Sequence, residues 1–109
     1  MAHTQQHIID VMKRTRIVPL FSTEDAAEAE ALVEAAYLGG VRVFEFTNRK
    51  SNAYDVFVEL RTLTKKYPDL LLGIGTVMDG STTEKFIDAG ADFIISPILK
   101  LEMAEVCHA

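Results

Sequence analysis

The stretch Val41-Arg42-Val43-Phe44-Glu45-Phe46-Thr47-Asn48-Arg49 follows the pair Gly39-Gly40. β-Branched and aromatic residues dominate it, so it reads as a strand over Val41–Thr47. Alternation along a strand puts Val41, Val43, Glu45 and Thr47 on one face, with Arg49 continuing that face just past the end. Arg42, Phe44 and Phe46 take the other face. The two phenylalanines suit a layer between a sheet and its covering helices, which leaves Glu45 and Thr47 directed into a central crevice. An ionised carboxylate there is costly to bury without partners, and such positions are where functional pKa values are tuned. The competing reading makes Glu45 and Arg49 an i,i+4 pair on a helix surface. The composition of the stretch opposes it, and Glu45 becomes the first candidate catalytic residue.

Outward from this strand, apolar runs and helical stretches alternate. Thr4–Thr15 places Ile8, Ile9 and Met12 at helical spacing, a short leading helix. Arg16–Phe21 is a first strand, and its Pro19 suits an edge or a strand end because proline lacks a ladder donor. Ser22 and Thr23 offer an N-cap for an alanine-rich helix over Glu24–Leu38, stopped by Gly39-Gly40. Ala53–Tyr67 carries the apolar stripe Ala53, Val56, Phe57, Leu60, Leu63 and Tyr67 and ends at Pro68. Leu70–Thr76 is a third strand. Ser81-Thr82-Thr83-Glu84 has the form of a capping box and opens a helix closing at Gly90. Asp92–Ser96 is a fourth strand, and Ile98–His108 a final helix. Four consecutive βα units imply an α/β fold with a parallel sheet and right-handed crossovers. The segments Ala36–Phe44 and Ala89–Ile94 both run from helix end through glycine into strand, an echo that any such fold produces.

Composition narrows the class. The chain has 109 residues, 49% hydrophobic and 25% charged, with 11 Lys+Arg against 16 Asp+Glu. Those proportions are of a globular protein, and residues 1–109 have the length of a single domain with one core. A formal charge of −5 argues against a nucleic-acid or anionic-membrane partner. The single cysteine, Cys107, has no internal disulfide partner, and the polar start has no apolar signal segment; the expected compartment is the cytoplasm. No apolar run is long enough for a membrane helix. The length also excludes a complete (β/α)8 barrel, which takes roughly 200 residues or more.

Other chemistry-bearing residues follow from position. Leu72-Gly73-Ile74-Gly75-Thr76-Val77 lacks the third glycine of a dinucleotide loop and ends a third strand rather than opening a first turn. Its glycines allow close approach of backbone or ligand, with the Thr76 hydroxyl at the strand's C-terminal end, where such sheets bind ligands. Ser96-Pro97 ends the fourth strand at the same level. Taken alone, both stretches are better accounted for by ordinary turn chemistry. His3 and His7 stand four residues apart on the leading helix, but no third ligand joins them, so no metal is expected. Cys107 and His108 are adjacent and cannot face each other on a helix. Lys13, Lys50, Lys65, Lys66, Lys85 and Lys100 all fall in helices or loops. None sits in a strand, where burial lowers a lysine pKa and makes it a Schiff-base nucleophile.

Together, Ile17–Leu20, Gly39–Arg49, Gly73–Val77 and Ala89–Pro97 resemble, in order and over nearly the whole chain, the 2-keto-3-deoxy-6-phosphogluconate / 4-hydroxy-2-oxoglutarate aldolase family. The resemblance implies four βα units of a (β/α)8 TIM barrel, a half-barrel preceded by a short helix, with residues 1–109 as a single partial domain. It implies a lyase that cleaves a 2-keto acid to pyruvate and an aldehyde through a lysine Schiff base, with no metal or other cofactor, as a homotrimer. By position, Glu45 matches the general acid/base, Arg49 and Thr76 the groups that hold the pyruvyl carboxylate, and Pro97 the residue closing that pocket. Asn48 stands where Leu or Met is commoner, and Ile98 where a small residue is usual. The family's lysine lies on the sixth strand, beyond the four units present here.

Two other readings compete. A half-barrel would leave its first and fourth strands with unpaired edges and would self-associate without catalysis. A small phospho-receiver domain needs acidic residues at its strand ends, but those ends carry Phe21-Ser22, Thr47-Asn48, Gly75-Thr76 and Ser96-Pro97.

Overall fold

The computed structural model describes residues 3–109; Met1 and Ala2 of the leading segment lie outside it. Helix α1 (Gln5–Thr15) begins at Thr4, whose hydroxyl accepts from the His7 N–H. It ends at Arg16, whose φ of 61° turns the chain sharply while its N–H bonds the Met12 carbonyl. That left-handed cap consumes the start of the expected first strand, and β1 is only Leu20–Phe21.

Helix α2 (Ala26–Leu38) is capped by Asp25, which accepts from the Ala27 N–H at 2.9 Å, not by Ser22 or Thr23. Thr23 instead accepts from the Asp25 N–H, one step before the helix. Strand β2 is Val43–Thr47 and β3 is Leu71–Gly75, both fully buried. Helix α3 (Ala53–Leu63) stops four residues before Tyr67 and tightens into a 3-10 turn over Thr64–Lys66. There the Thr64 hydroxyl bonds the Leu60 and Arg61 carbonyls. Helix α4 (Gly80–Asp88) is capped by Asp79 rather than by the Ser81 capping box. The Asp79 carboxylate takes the Thr82 N–H at 2.7 Å and the Ser81 hydroxyl, so Ser81 serves the cap instead of forming it. Helix α5 (Leu101–His108) starts three residues later than the sequence pattern predicts.

The strands are parallel in the order β1-β2-β3, with Leu20 opposite Glu45, Val43 opposite Leu71, Glu45 opposite Gly73 and Thr47 opposite Gly75. The expected fourth strand is reduced to a parallel bridge between Ile74 and Ile94. The cause is local. The Asp92 carboxylate takes the Leu72 N–H at 2.8 Å, where a regular ladder would offer a carbonyl, and also pairs with Arg61 at 2.8 Å. The segment therefore runs along β3, with Asp92 N–H to Leu72 O and Ile95 N–H to Ile74 O, but without a continuous ladder.

Two apolar layers flank the sheet. On one face Phe44, Phe46, Leu72 and Ile74 pack against α2, α3 and Phe86 of α4. Phe46 and Phe57 lie 6.5 Å apart and Phe57 meets Phe86 edge-on at 5.4 Å. On the other face Ile8 and Val11 of α1 cover Val43 and Leu71. Helix α1 thus covers the N-terminal end of the face that carries Glu45.

Candidate active site

Strand alternation separates Glu45 from the phenylalanines as the sequence pattern predicts. Phe44 and Phe46 are buried under helices, and Glu45 lies on the opposite face, 7% exposed. Burial pushes its carboxyl above the ordinary range, and the Arg49 charge partly offsets that. Arg49 is exposed and sits in the tight turn after β2, where its N–H bonds the Thr47 carbonyl at 2.9 Å.

Gly75 is what makes room for Glu45. A Cβ at that position would lie 1.8 Å from the Glu45 Oε2 and 2.5 Å from its Cδ, so the carboxyl rests against the bare Cα. Gly73 does the same for an aromatic ring: a Cβ there would fall 2.2 Å from Phe93 Cε2. The two glycines admit two different side chains of this chain, one charged and one apolar. The Gly-x-Gly spacing signalled close approach; only the fold identifies what approaches.

Directly after Gly75, Thr76 adopts φ 60°. For a β-branched residue that left-handed conformation is strained by roughly 1–3 kcal/mol and persists only where surrounding contacts enforce it. The strain falls at the end of β3, on a residue singled out from sequence, beside the Glu45 carboxyl. Glu45, Arg49 and Thr76 therefore converge at the C-terminal ends of β2 and β3. Pro97 stands one segment further along the sheet, exposed, with no hydrogen bond or ion pair to the other three among the described residues. Next to it the Ser96 hydroxyl accepts from the Ile98 N–H.

Asn52 escaped the sequence reading. It precedes α3, and its Nδ2 donates to the Glu24 carbonyl at 2.9 Å, tying the turn after β2 to the loop after β1. Its Oδ1 is buried without a hydrogen-bond partner. An asparagine before a helix reads as a cap, and nothing in its sequence context signals this bridge.

The remaining candidates sit elsewhere. His3 and His7 stack at 5.0 Å, and the described residues contain no cluster of three metal-ligating side chains. Cys107 is a free thiol whose pKa is pushed up by burial, the wrong direction for a nucleophile. All six lysines are exposed, and none lies in a strand. Two concave pockets, of about 520 and about 500 Å³, lie against α1 and are not lined by Glu45, Arg49 or Thr76. At the opposite end of β2 the Arg42 guanidinium lies 3.9 Å over the Tyr37 ring and pairs with Asp69. The Tyr37 hydroxyl donates to Asp69, raising the tyrosine pKa and lowering the aspartate's. That cluster ties α2 to the start of β3.

A parallel α/β sheet with a buried carboxylate, an arginine and a strained threonine at its C-terminal strand ends defines an α/β protein built on the plan of enzymes that bind small ligands at that edge. Comparison with known proteins narrows the class. Residues 8–109 match the family model for KDPG and KHG aldolase, and the chain belongs to that family. A 2-dehydro-3-deoxy-phosphogluconate aldolase of Haemophilus influenzae is 30% identical over 108 residues, 99% of this chain and 50% of that protein. The 2-keto-3-deoxy-6-phosphogluconate aldolase of Zymomonas mobilis ZM4, solved with 3-phosphoglycerate, superposes with TM-score 0.80 at 27% identity, over 96% of this chain and 48% of that one. The KDPG aldolase of Legionella pneumophila, solved with pyruvate captured as a covalent carbinolamine, superposes with TM-score 0.70 at 31% identity, over 82% and 42%. The chain spans about half the length of the curated relatives it matches.

Proposed function

We propose that residues 1–109 form four βα units, half of a (β/α)8 barrel, and supply the acid/base and carboxylate-binding part of a class I aldolase. The substrate is of the 2-keto-3-deoxy-6-phosphogluconate or 4-hydroxy-2-oxoglutarate type, and the products are pyruvate and an aldehyde. The observation that carries this reading is Glu45. It is a buried carboxylate with a raised pKa at the open end of a parallel sheet, beside Arg49 and Thr76.

In the completed barrel a lysine amine attacks the 2-keto carbon, and loss of water gives an iminium. Glu45 moves protons for that dehydration and, ionised, takes the proton of the 4-hydroxyl as the C3–C4 bond breaks. The electron pair of that bond passes into the iminium, giving an enamine, and the aldehyde leaves. Protonation of the enamine at C3 and hydrolysis release pyruvate. A carboxyl whose pKa is raised toward neutrality both gives and takes protons efficiently. Arg49 and Thr76 orient the pyruvyl carboxylate so that the breaking bond stays aligned with the iminium, and Pro97 closes the pocket. The six lysines are exposed and outside the strands, and the resemblance to the family implies that the amine comes from the sixth strand, in the second half of the barrel. The same reading makes the completed enzyme a cytoplasmic homotrimer without metal or cofactor.

The test joins residues 1–109 to the C-terminal half of the Haemophilus influenzae relative. Incubation with pyruvate and borohydride, read by intact mass, is expected to give an adduct on the chimera and none on the 109-residue chain. Glu45→Gln in the chimera is expected to lower turnover by about two orders of magnitude or more. An adduct on the short chain, or near-parental turnover of the folded variant, overturns the assignment of roles.

A further inference from the structure

Beside Glu45, β3 offers two places without a side chain. The residue paired with Glu45 across the ladder is Gly73, and the next on the same face is Gly75. The carboxyl could therefore lie over Gly73, level with its own Cα, or over Gly75, about 6–7 Å nearer the strand ends. It lies over Gly75, where the missing Cβ would fall 1.8 Å from Oε2. The place over Gly73 is taken. Three ring atoms of Phe93, Cε2, Cδ2 and Cζ, lie 2.2–2.4 Å from where the Gly73 Cβ would be.

The ring is carried there by a pinned backbone. The Asp92 N–H bonds the Leu72 carbonyl at 2.8 Å, and the Asp92 carboxylate takes the Leu72 N–H at 2.8 Å and pairs with Arg61 of α3. One residue thus holds both backbone groups of Leu72. On the other side, the Phe93 carbonyl accepts from the Ile74 N–H at 3.1 Å. Fixed at both ends, Phe93 projects onto the face that carries Glu45, where it packs against Val43 and Leu71. Every contact in this arrangement joins residues of this chain, and 96% of the chain superposes on the Zymomonas mobilis structure.

We propose that Phe93 is a positioning residue for Glu45. By filling the place over Gly73, its ring keeps the carboxyl out of the space nearest its own Cα and directs it over Gly75, toward Thr76 and the turn that carries Arg49. A carboxyl over Gly73 would rest against the apolar Val43 and Leu71 cluster, about 6–7 Å short of the strand ends. Proton transfer to a ligand at those ends does not tolerate such a displacement. The two glycines therefore act together, one place being blocked by an aromatic ring and the other left to the acid/base group. The consequence for turnover rests on the aldolase reading, whereas the placement of the carboxyl does not.

The placement is tested in the 109-residue chain by nuclear Overhauser effects. They are expected between the Phe93 ring and the Glu45 β- and γ-protons, and between the Glu45 γ-protons and the Gly75 Hα. Phe93→Leu removes the ring edge over Gly73 and is expected to weaken the Glu45–Gly75 effect. In the chimera, Phe93→Leu is expected to lower kcat by about tenfold to 100-fold and to leave KM within about threefold of parental, because Arg49 and Thr76 are untouched. Adding Gly73→Ala puts a methyl group where the ring edge stood and is expected to restore most of the lost kcat. Urea denaturation of each variant ensures that turnover is read on folded protein. Absence of the Phe93–Glu45 effect in the parental chain overturns the proposal, and that measurement needs no variant to fold. So does a folded Phe93→Leu chimera with parental kcat, a loss confined to KM, or a folded double variant that recovers nothing. A parental chimera without turnover refutes the aldolase reading instead, and the Overhauser effects then decide the placement on their own.

Discussion

Gly75→Ala separates the position of Glu45 from the stability of the fold. The added Cβ would lie 1.8 Å from Oε2, and such atoms do not approach closer than 3.0 Å, so the carboxyl must retreat by at least 1.2 Å. The atoms in the way are the far end of a flexible side chain, and the open route is toward the strand ends. An off-rotamer Glu45 costs about 0.5–1.5 kcal/mol. Against this, alanine reduces the entropy of the unfolded chain by about 0.4–1 kcal/mol where the backbone tolerates it. Moving the carboxylate toward water also relieves its desolvation. The net change in stability is expected within about 1 kcal/mol of zero, so the urea midpoint hardly moves. Carbon-13 titration of the Glu45 carboxyl in the 109-residue chain is expected to show its pKa falling toward the ordinary range, because burial is what raises it. In the chimera, a displacement of about 1 Å at a proton-transferring group is expected to lower turnover by about 100-fold. A loss of 3 kcal/mol or more would refute the retreat of Glu45, by the overpacking scale of about 1–3 kcal/mol for cores. An unchanged Glu45 pKa would refute the contact itself.

Gly73→Ala is expected to behave differently, since its Cβ meets the Phe93 ring at 2.2–2.4 Å and a ring packed against the Val43 and Leu71 cluster has no free end to swing away. A loss of about 1–3 kcal/mol is expected in urea denaturation, partly recovered when Phe93→Leu accompanies it. Thr76→Gly relieves a left-handed β-branched residue and is expected to stabilise the chain by about 1 kcal/mol, whereas glycine in a regular strand weakens it; a melting temperature lowered by the change would remove the strain from the account. The Glu45 pKa carries a sign. Held above the ordinary range, the carboxyl keeps its proton longer in the folded state than in the unfolded one. Stability therefore falls as pH rises from the ordinary carboxylate range through the raised pKa. Glu45→Gln is expected to melt higher than the parental chain above that window, with the advantage vanishing in acid below it; superimposable pH–melting curves would contradict this.

Much of the fold was legible because its signals are local. Strand alternation in Val41–Thr47 separates Glu45 from Phe44 and Phe46 without any tertiary information, since side chains in a strand point to opposite faces by geometry. The spacing of Val56, Phe57 and Leu60 fixes the buried face of α3 in the same way. Element ends were less legible. Ser81 and Asp79 are both good caps, and the choice fell to the one whose carboxylate also gathers Thr82 N–H and Ser81 Oγ. The Arg16 turn that shortens β1 depends on how α1 docks, and no local pattern marks it.

The sequence by itself determined the α/β alternation, the parallel sheet, the face of Glu45 and the residues that gather at the strand ends, because periodicity and turn chemistry act over a few residues. The tertiary structure alone decided that Gly75 accommodates the Glu45 carboxyl and Gly73 the Phe93 ring. It also decided that Asp92 breaks the fourth strand by bonding Leu72. Each of these joins residues twenty or more positions apart, where packing rather than local propensity sets the outcome.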